Sequence, residues 1–193
     1  KASDNNPPAQ RYYYMAKQTC HSGNYGIGPG EFCSNVLEKS DGQIFLTERQ
    51  GEEFLTTYRQ ELFPEIVNDY HAFVRRCVYK DRLLVNALGF PYVIRMWKIE
   101  DQDFKKFLAW IPQSTVGCIT CEADMALQRK LDSGELTGFA ILQNNHDSLL
   151  IECPVGTENA VAAVVQQHMN VQMVNPFGEQ FGMESEASVG PNW

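Results

Sequence analysis

Two cysteines separated by two residues, Cys118 and Cys121, carry the most direct chemical signal in the chain. Residues 115–119 have the composition of a strand and residues 122–131 the spacing of a helix. The pair is therefore predicted to lie where a strand meets a helix N-terminus. The partial positive charge of a helix N-terminus favours the reactive thiolate form of a cysteine. This placement is typical of a thiol-redox pair or of one half of a zinc site.

A zinc site would need two further ligands besides Cys118 and Cys121. Cys20 and His21 are candidates, but they lie far away in sequence and lack the tight spacing of a second half-site. Zinc is therefore kept as an alternative through these four residues, and no cofactor is expected. The glycine-rich stretch at 26–30 does not fit a phosphate-binding loop, because Pro29 removes a backbone donor and no lysine follows.

Disulfides are the competing interpretation of the cysteines, of which the chain has six. Cys20 and Cys33 bracket a stretch with four glycines and a proline, which predicts a loop over residues 20–33. A disulfide between them would stabilise such a loop by about 3 kcal/mol. Cys118 and Cys121 form the second candidate pair, whereas Cys77 lies on an apolar helical stripe and is predicted to be a small buried hydrophobe.

Aromatic residues near the two ends of the chain are the candidates for an interface. Tyrosine and tryptophan bury a large apolar area and keep a polar tip, and they are enriched where proteins meet. The candidates are Tyr12, Tyr13, Tyr14, Phe177, Phe181 and Trp193. No nucleophile elbow, zinc-binding helix or acidic calcium loop is present, so no catalytic residue is predicted.

The hydrophobic pattern predicts an α+β fold in three parts. Residues 1–46 form an N-terminal arm with the Gly-rich Cys loop, residues 47–174 a single globular domain, and residues 175–193 a tail. Thr47 and Gln50 have the spacing of a capping box, which predicts a helical part over 47–89. Residues 92–174 predict a βαββαβ (ferredoxin-like) or related mixed sheet with helices on one face, in which residues 138–142 and 149–151 pair as a hairpin.

The charge of the chain bears on its partners. The formal net charge is −8 and the pI is about 5.0, so phosphate backbones are repelled on average and no nucleic-acid partner is expected. No apolar run approaches the roughly 20 residues of a membrane span. An extracytoplasmic location, periplasmic or secreted, is favoured over a cytoplasmic one by the polar N-terminus and the cysteines.

These observations together predict a non-catalytic protein–protein interaction or assembly subunit, as part of an exported or envelope complex. Its partner would be another protein, bound through the aromatic ends. The alternative hypothesis is a thiol-redox or zinc-binding protein that uses Cys118 and Cys121.

Overall fold

The computed structural model describes residues 7–174 and 178–191, with side chains from Tyr12 onward. The chain divides into two compact units, residues 1–111 and residues 112–193. The described residues form helices and short antiparallel strands, so the predicted α+β class is confirmed. Among these residues, no helix is long and apolar enough to cross a membrane.

The first unit is mainly helical. Its α-helices are α1 (Pro7–Asn24), α2 (Pro29–Lys39), α3 (Glu48–Thr56), α4 (Ala72–Arg76) and the start of α5 (Asp101–Asp132), with π-helical segments at Thr57–Leu62, Ile66–His71 and Cys77–Asp81. Strands β1 (Leu83–Val85) and β2 (Pro91–Val93) form an antiparallel pair. The predicted capping box is confirmed, since the Thr47 hydroxyl accepts from the Gln50 amide N–H and the Gln50 side chain accepts from the Thr47 amide N–H.

Two apolar clusters form the core of this unit. One joins α2, α3 and the segment between them, and its buried members are Phe32, Val36, Ile44, Leu46 and Leu55. The other joins α4, β1 and α5, and its buried members are Val74, Cys77, Val78, Leu84, Ile94, Phe104, Phe107 and Leu108. The prediction that Cys77 is a buried hydrophobe is confirmed.

The predicted loop over residues 20–33 is wrong. Helix α1 continues to Asn24, and α2 starts at Pro29, where a proline is favoured because the first N–H of a helix has no partner in any case. Gly26 adopts φ +70° in the turn between the two helices. The glycines of this stretch therefore serve one tight turn and a helix start.

The predicted helical part over residues 47–89 extends too far, because its last helical residue is Asp81. Arg82 adopts φ +54°, which ends the preceding π-helical segment, and residues 83–85 form β1. The Asn86 side-chain oxygen accepts from the backbone N–H groups of Leu88 and Phe90 at 3.0 and 2.9 Å, which holds the turn to β2. Strand β2, at Pro91–Val93, lies at the start of the predicted sheet part.

Helix α5 includes the helix predicted at 122–131, but it also runs through Pro112 and through residues 115–119, so the strand predicted there is wrong. Proline inside a helix removes one hydrogen bond. The helix nevertheless buries apolar side chains on both sides of Pro112, among them Leu108 and Ile119. Burial of this kind outweighs local propensity.

The second unit holds the remainder of α5 together with β3 (Ala140–Asn145), β4 (Ser148–Glu152), α6 (Glu158–Met169), β5 (Val171–Val174) and β6 (Gln180–Met183). The predicted hairpin is confirmed as the pair of β3 and β4. The ferredoxin-like sheet is not confirmed. The described strands form three separate two-stranded antiparallel sheets, in which β5 pairs with β6.

Candidate functional site

One exposed face of α1 combines aromatic rings with a positive charge. Tyr13, Lys17, His21 and Tyr25 recur every four residues, which places them along one side of the helix and the turn that follows it. Tyr13, Lys17 and His21 are exposed, and Tyr25 is half-buried with its ring 4.8 Å from that of His21, edge to face. No carboxylate pairs with Lys17 among the described residues. We call these four residues the α1 face.

Arg59 binds the C-terminal end of α1 and the turn that follows it. Its Nη2 donates to the carbonyl oxygens of Ser22 at 2.9 Å and Ile27 at 2.8 Å, and its Nε donates to that of Gly23 at 3.2 Å. The last carbonyl groups of a helix lack partners within the helix, so a guanidinium group satisfies them and complements the negative end of the helix dipole.

Tyr58 and His71 complete this support. The Tyr58 hydroxyl donates to the Asn24 side-chain oxygen at 2.8 Å, and the His71 Nε2–H donates to the Asn24 carbonyl at 2.7 Å. The Tyr58 ring lies against Gly23 so closely that no side chain could occupy that position. We call Tyr58, Arg59 and His71 the α1 anchor.

Burial sets the protonation states of the α1 anchor. Burial, with a smaller contribution from Cys20, raises the pKa of Tyr58 to about 12, so its hydroxyl keeps its proton. Burial and the charges of Arg59 and Arg75 lower the pKa of His71, so the imidazole is neutral at pH 7. Arg59 and His71 also line an open cavity of about 540 Å³.

The turn between β3 and β4 is the second polar surface. Its two turn residues are His146 and Asp147, and His146 adopts φ +62°. The Asp147 amide N–H donates to the Asn145 carbonyl at 2.7 Å, and the Ser148 hydroxyl donates to the same oxygen at 3.3 Å. The turn is therefore held by bonds between near neighbours and presents the Asp147 carboxylate to solvent.

Helix α5 supports this turn within the second unit. The Asn144 amide donates to the Asp124 carboxylate at 3.0 Å. Gly117 lies beside His146, since a methyl group placed at Gly117 would be 3.8 Å from the His146 Nδ1. We call Asn144, Asn145, His146 and Asp147 the hairpin tip.

The cysteines do not occupy the places that the sequence analysis expected. Cys118 and Cys121 lie well inside α5, where the backbone N–H groups are used within the helix, so the argument from a helix N-terminus does not apply. Cys20 is exposed on α1, whereas the Cys33 thiol on α2 donates to the Thr47 carbonyl, and burial raises the pKa of Cys33. None of the six cysteines, all of which lie within the described residues, forms a disulfide, which corrects the prediction of disulfides.

The remaining candidate residues are spread over the chain. Tyr12, Tyr13 and Tyr14 are 72%, 55% and 42% exposed on α1, and Phe181 is exposed on β6. Phe177 and Trp193 lie outside the described residues. In the described part of the chain, no three His, Cys, Asp or Glu side chains are grouped in a way that could hold a metal ion.

The net charge belongs to one unit only. Residues 1–111 contain equal numbers of acidic and basic side chains, 14 of each, whereas residues 112–193 contain 10 acidic and 2 basic ones. The whole net charge of −8 therefore lies in the second unit. An argument from the average charge says little about what the first unit binds.

Comparison with known proteins identifies the fold. No family model and no curated protein matches the chain. Among solved structures, the chain is similar to the POL domain of Pol1 from M. smegmatis in complex with DNA primer-template and dNTP. The TM-score is 0.62 over 86% of this chain at 17% identity, and the chain spans 28% of the length of that protein chain. At this identity the likeness shows a shared fold.

This fold corrects the function predicted from the sequence. The chain was expected to be a non-catalytic assembly subunit with a protein partner and without nucleic acid. The fold is instead shared with part of an enzyme domain that was solved with DNA and a nucleotide. The prediction averaged the charge over both units, although the first unit carries no net charge.

Proposed function

We propose that this chain is part of a nucleotide-polymerising enzyme and that it binds nucleic acid and nucleoside triphosphate. The observation that carries the proposal is the fold shared with the POL domain over 86% of the chain. The two polar surfaces described above supply side chains suited to this function, one in each unit.

The α1 face has the chemistry to bind a nucleotide. Aromatic rings stack on bases, and a lysine ammonium pairs with phosphate. Lys17 lies one helical turn from Tyr13 and one from His21, so a charge stands between two rings on the same face. Tyr12 and Tyr14 flank this face and extend the aromatic surface. The α1 anchor fixes the end of the helix, which limits the ordering cost of binding.

The hairpin tip offers a carboxylate for a magnesium ion. Polymerases use Mg²⁺ to stabilise the attacking and leaving oxygens of phosphoryl transfer. This ion is commonly held by one or two carboxylates together with phosphate oxygens of the substrate. Asp147 is exposed on a fixed turn and fits that mode, in which the substrate completes the set of ligands. Asp147 is the residue that would hold the ion.

Binding assays with two matched pairs of variants test the proposal. Fluorescence anisotropy of a labelled dNTP and of a labelled primer-template is measured with the purified chain, with and without Mg²⁺. Lys17→Ala should weaken dNTP binding by about tenfold or more, because a charge-assisted contact is lost. Asp147→Asn should remove the part of the binding that Mg²⁺ enhances.

The controls remove the same charges elsewhere. Lys39→Ala on α2 and Glu52→Gln on α3 change exposed side chains that belong to neither surface and should leave the affinities unchanged. The proposal fails if neither ligand binds at low ionic strength. It also fails if Lys17→Ala binds as tightly as Lys39→Ala.

A further inference from the structure

The segment that follows α4 is the most basic part of the chain. Residues 75–99 contain six basic side chains and one acidic one. The rest of the first unit contains more acidic than basic side chains. Residues 95–98 are all exposed after β2, and three of them, Arg95, Trp97 and Lys98, are cationic or aromatic. The Arg82 guanidinium donates to the Met96 carbonyl at 3.2 Å, which brings a third cation next to Trp97.

Trp97 is exposed to an unusual degree. Its side chain is 99% exposed, whereas tryptophan is on average highly buried because it carries a large apolar area. The neighbouring side chains Leu83 and Val93 are cross-strand partners and lie on the solvent-facing side of the β1–β2 pair, where they are 38% and 56% exposed. An exposed apolar sheet face is therefore followed in the chain by an exposed aromatic ring, within the basic segment 75–99.

The inward side of the same strand pair holds the surface in place. Leu84 is fully buried, and its cross-strand partner Tyr92 has its ring 5.3 Å from that of Trp110 on α5. The Ile94 amide N–H donates to the Arg82 carbonyl at 2.9 Å, which extends the pairing up to the residue before Arg95. The backbone that carries Arg95 is therefore attached to a packed core.

We propose that a surface at one end of the β1–β2 pair binds single-stranded nucleic acid. We call it the Trp97 surface, and it consists of Arg82, Arg95, Trp97 and Lys98. A base would stack on the indole ring, and phosphates would pair with the two arginines. Such binding combines cations that follow the backbone with aromatic rings on which bases stack. The positive charge of this segment matches a phosphate backbone. Arg95 has no carboxylate partner among the described residues, whereas Lys98 is paired with Glu100 at 3.1 Å and contributes less.

The inference rests on the proposed function in taking nucleic acid as the partner, but it concerns a surface distinct from the α1 face. The test measures binding of a 12-residue oligo(dT) to the purified chain by anisotropy at several salt concentrations. Stacking is worth about 1–3 kcal/mol per base, so Trp97→Ala should weaken binding by about fivefold or more. Arg95→Ala should weaken binding and reduce its dependence on salt.

Matched controls separate this surface from general effects. Phe45→Ala removes another aromatic side chain that is 72% exposed, and Lys39→Ala removes another exposed cation. Both should bind oligo(dT) as the wild type does. Because Trp97 is fully exposed, Trp97→Ala should unfold at the same temperature as the wild type, so weaker binding would not reflect unfolding.

Three outcomes would overturn the inference. If Trp97→Ala binds oligo(dT) like the wild type while Lys17→Ala still loses dNTP affinity, the Trp97 surface is not the site and the proposed function stands. If the chain binds no nucleic acid or nucleotide at all, both proposals fail. If vesicles of anionic phospholipid bind through Trp97 and oligo(dT) does not, the surface binds lipid.

Discussion

The α1 face and the hairpin tip are both polar surfaces, but they are held by contacts of very different range. The end of α1 is held by residues 32 to 47 positions away in sequence, through Arg59, Tyr58 and His71. The turn at His146 and Asp147 is held mainly by bonds to residues two or three positions away. Long-range support fixes a surface only when the whole unit is folded, whereas the hairpin carries much of its own geometry.

The largest effect on stability is expected at Gly23, where the end of α1 contacts Tyr58, a residue distant in sequence. Gly23→Ala places a methyl group against the Tyr58 ring and should destabilise the chain by about 3 kcal/mol, as overpacking does. Gly30→Ala is the control, because its methyl group would meet its nearest neighbour, the Glu48 carboxylate, at 3.6 Å. Urea unfolding measures both, and equal stabilities would show that α1 is not held closely at this point.

A somewhat smaller effect is expected at Arg59. Arg59→Ala removes three hydrogen bonds to carbonyl groups and should cost about 2 kcal/mol, although the Ser22 carbonyl keeps another donor, the Ile27 amide N–H. It should also weaken dNTP binding, because the end of α1 loses its support. Arg49→Ala breaks an exposed ion pair with Glu53 and should change stability by less than about 1 kcal/mol. Equal losses in the two variants would contradict the role given to Arg59.

At the hairpin tip, introducing a glycine should not destabilise the chain, in contrast to replacing the glycine at position 23. His146 adopts φ +62°, a conformation that glycine takes without strain, so His146→Gly should be neutral or stabilise by up to about 1 kcal/mol. His168→Gly changes a histidine within α6 and should destabilise by about 1 kcal/mol. Thermal unfolding of the two variants gives the comparison. A clear loss of stability in His146→Gly would mean that the imidazole itself supports the turn.

The smallest effect is a pH dependence from His71. Burial and two nearby arginines lower its pKa in the folded chain, so the unfolded chain takes up the proton first. Stability from this residue is therefore constant above about pH 6.5 and declines as the pH falls through that value toward the lower folded-state pKa. His71→Gln keeps an N–H donor and does not titrate. Melting curves from pH 8 to pH 5 should show a shallower decline for this variant, and identical curves would exclude the effect.

The same difference in range explains what the sequence could predict. The Thr47–Gln50 capping box and the β3–β4 hairpin depend on residues close in sequence, and both predictions are confirmed. The helices on either side of the α1–α2 turn were missed because glycines in a sequence indicate a loop. Here Gly23 allows a close approach to Tyr58, and Gly26 adopts a positive φ. Helix α5 was missed because burial on both sides of Pro112 overrides the proline.

The candidate site was predicted only in part. The sequence predicts Tyr12, Tyr13 and Tyr14 as interface residues, and this stays a prediction, although all three are exposed. The four-residue spacing of Tyr13, Lys17, His21 and Tyr25 was a signal available in the sequence. So was the confinement of the net charge to residues 112–193. The α1 anchor could not be predicted, because nothing near Arg59 in sequence indicates that it lies under the end of α1.

The direction in which the Arg59 side chain points depends on the number of residues in the π-helical segment Thr57–Leu62. Each π turn contains more residues than an α turn, so it rotates every side chain after it about the helix axis. Deleting a single residue from this segment would restore α-helical winding and turn the guanidinium group away from Ser22, Gly23 and Ile27. Related chains one residue shorter here would need a different cation, on another side of the helix, to hold the same end of α1.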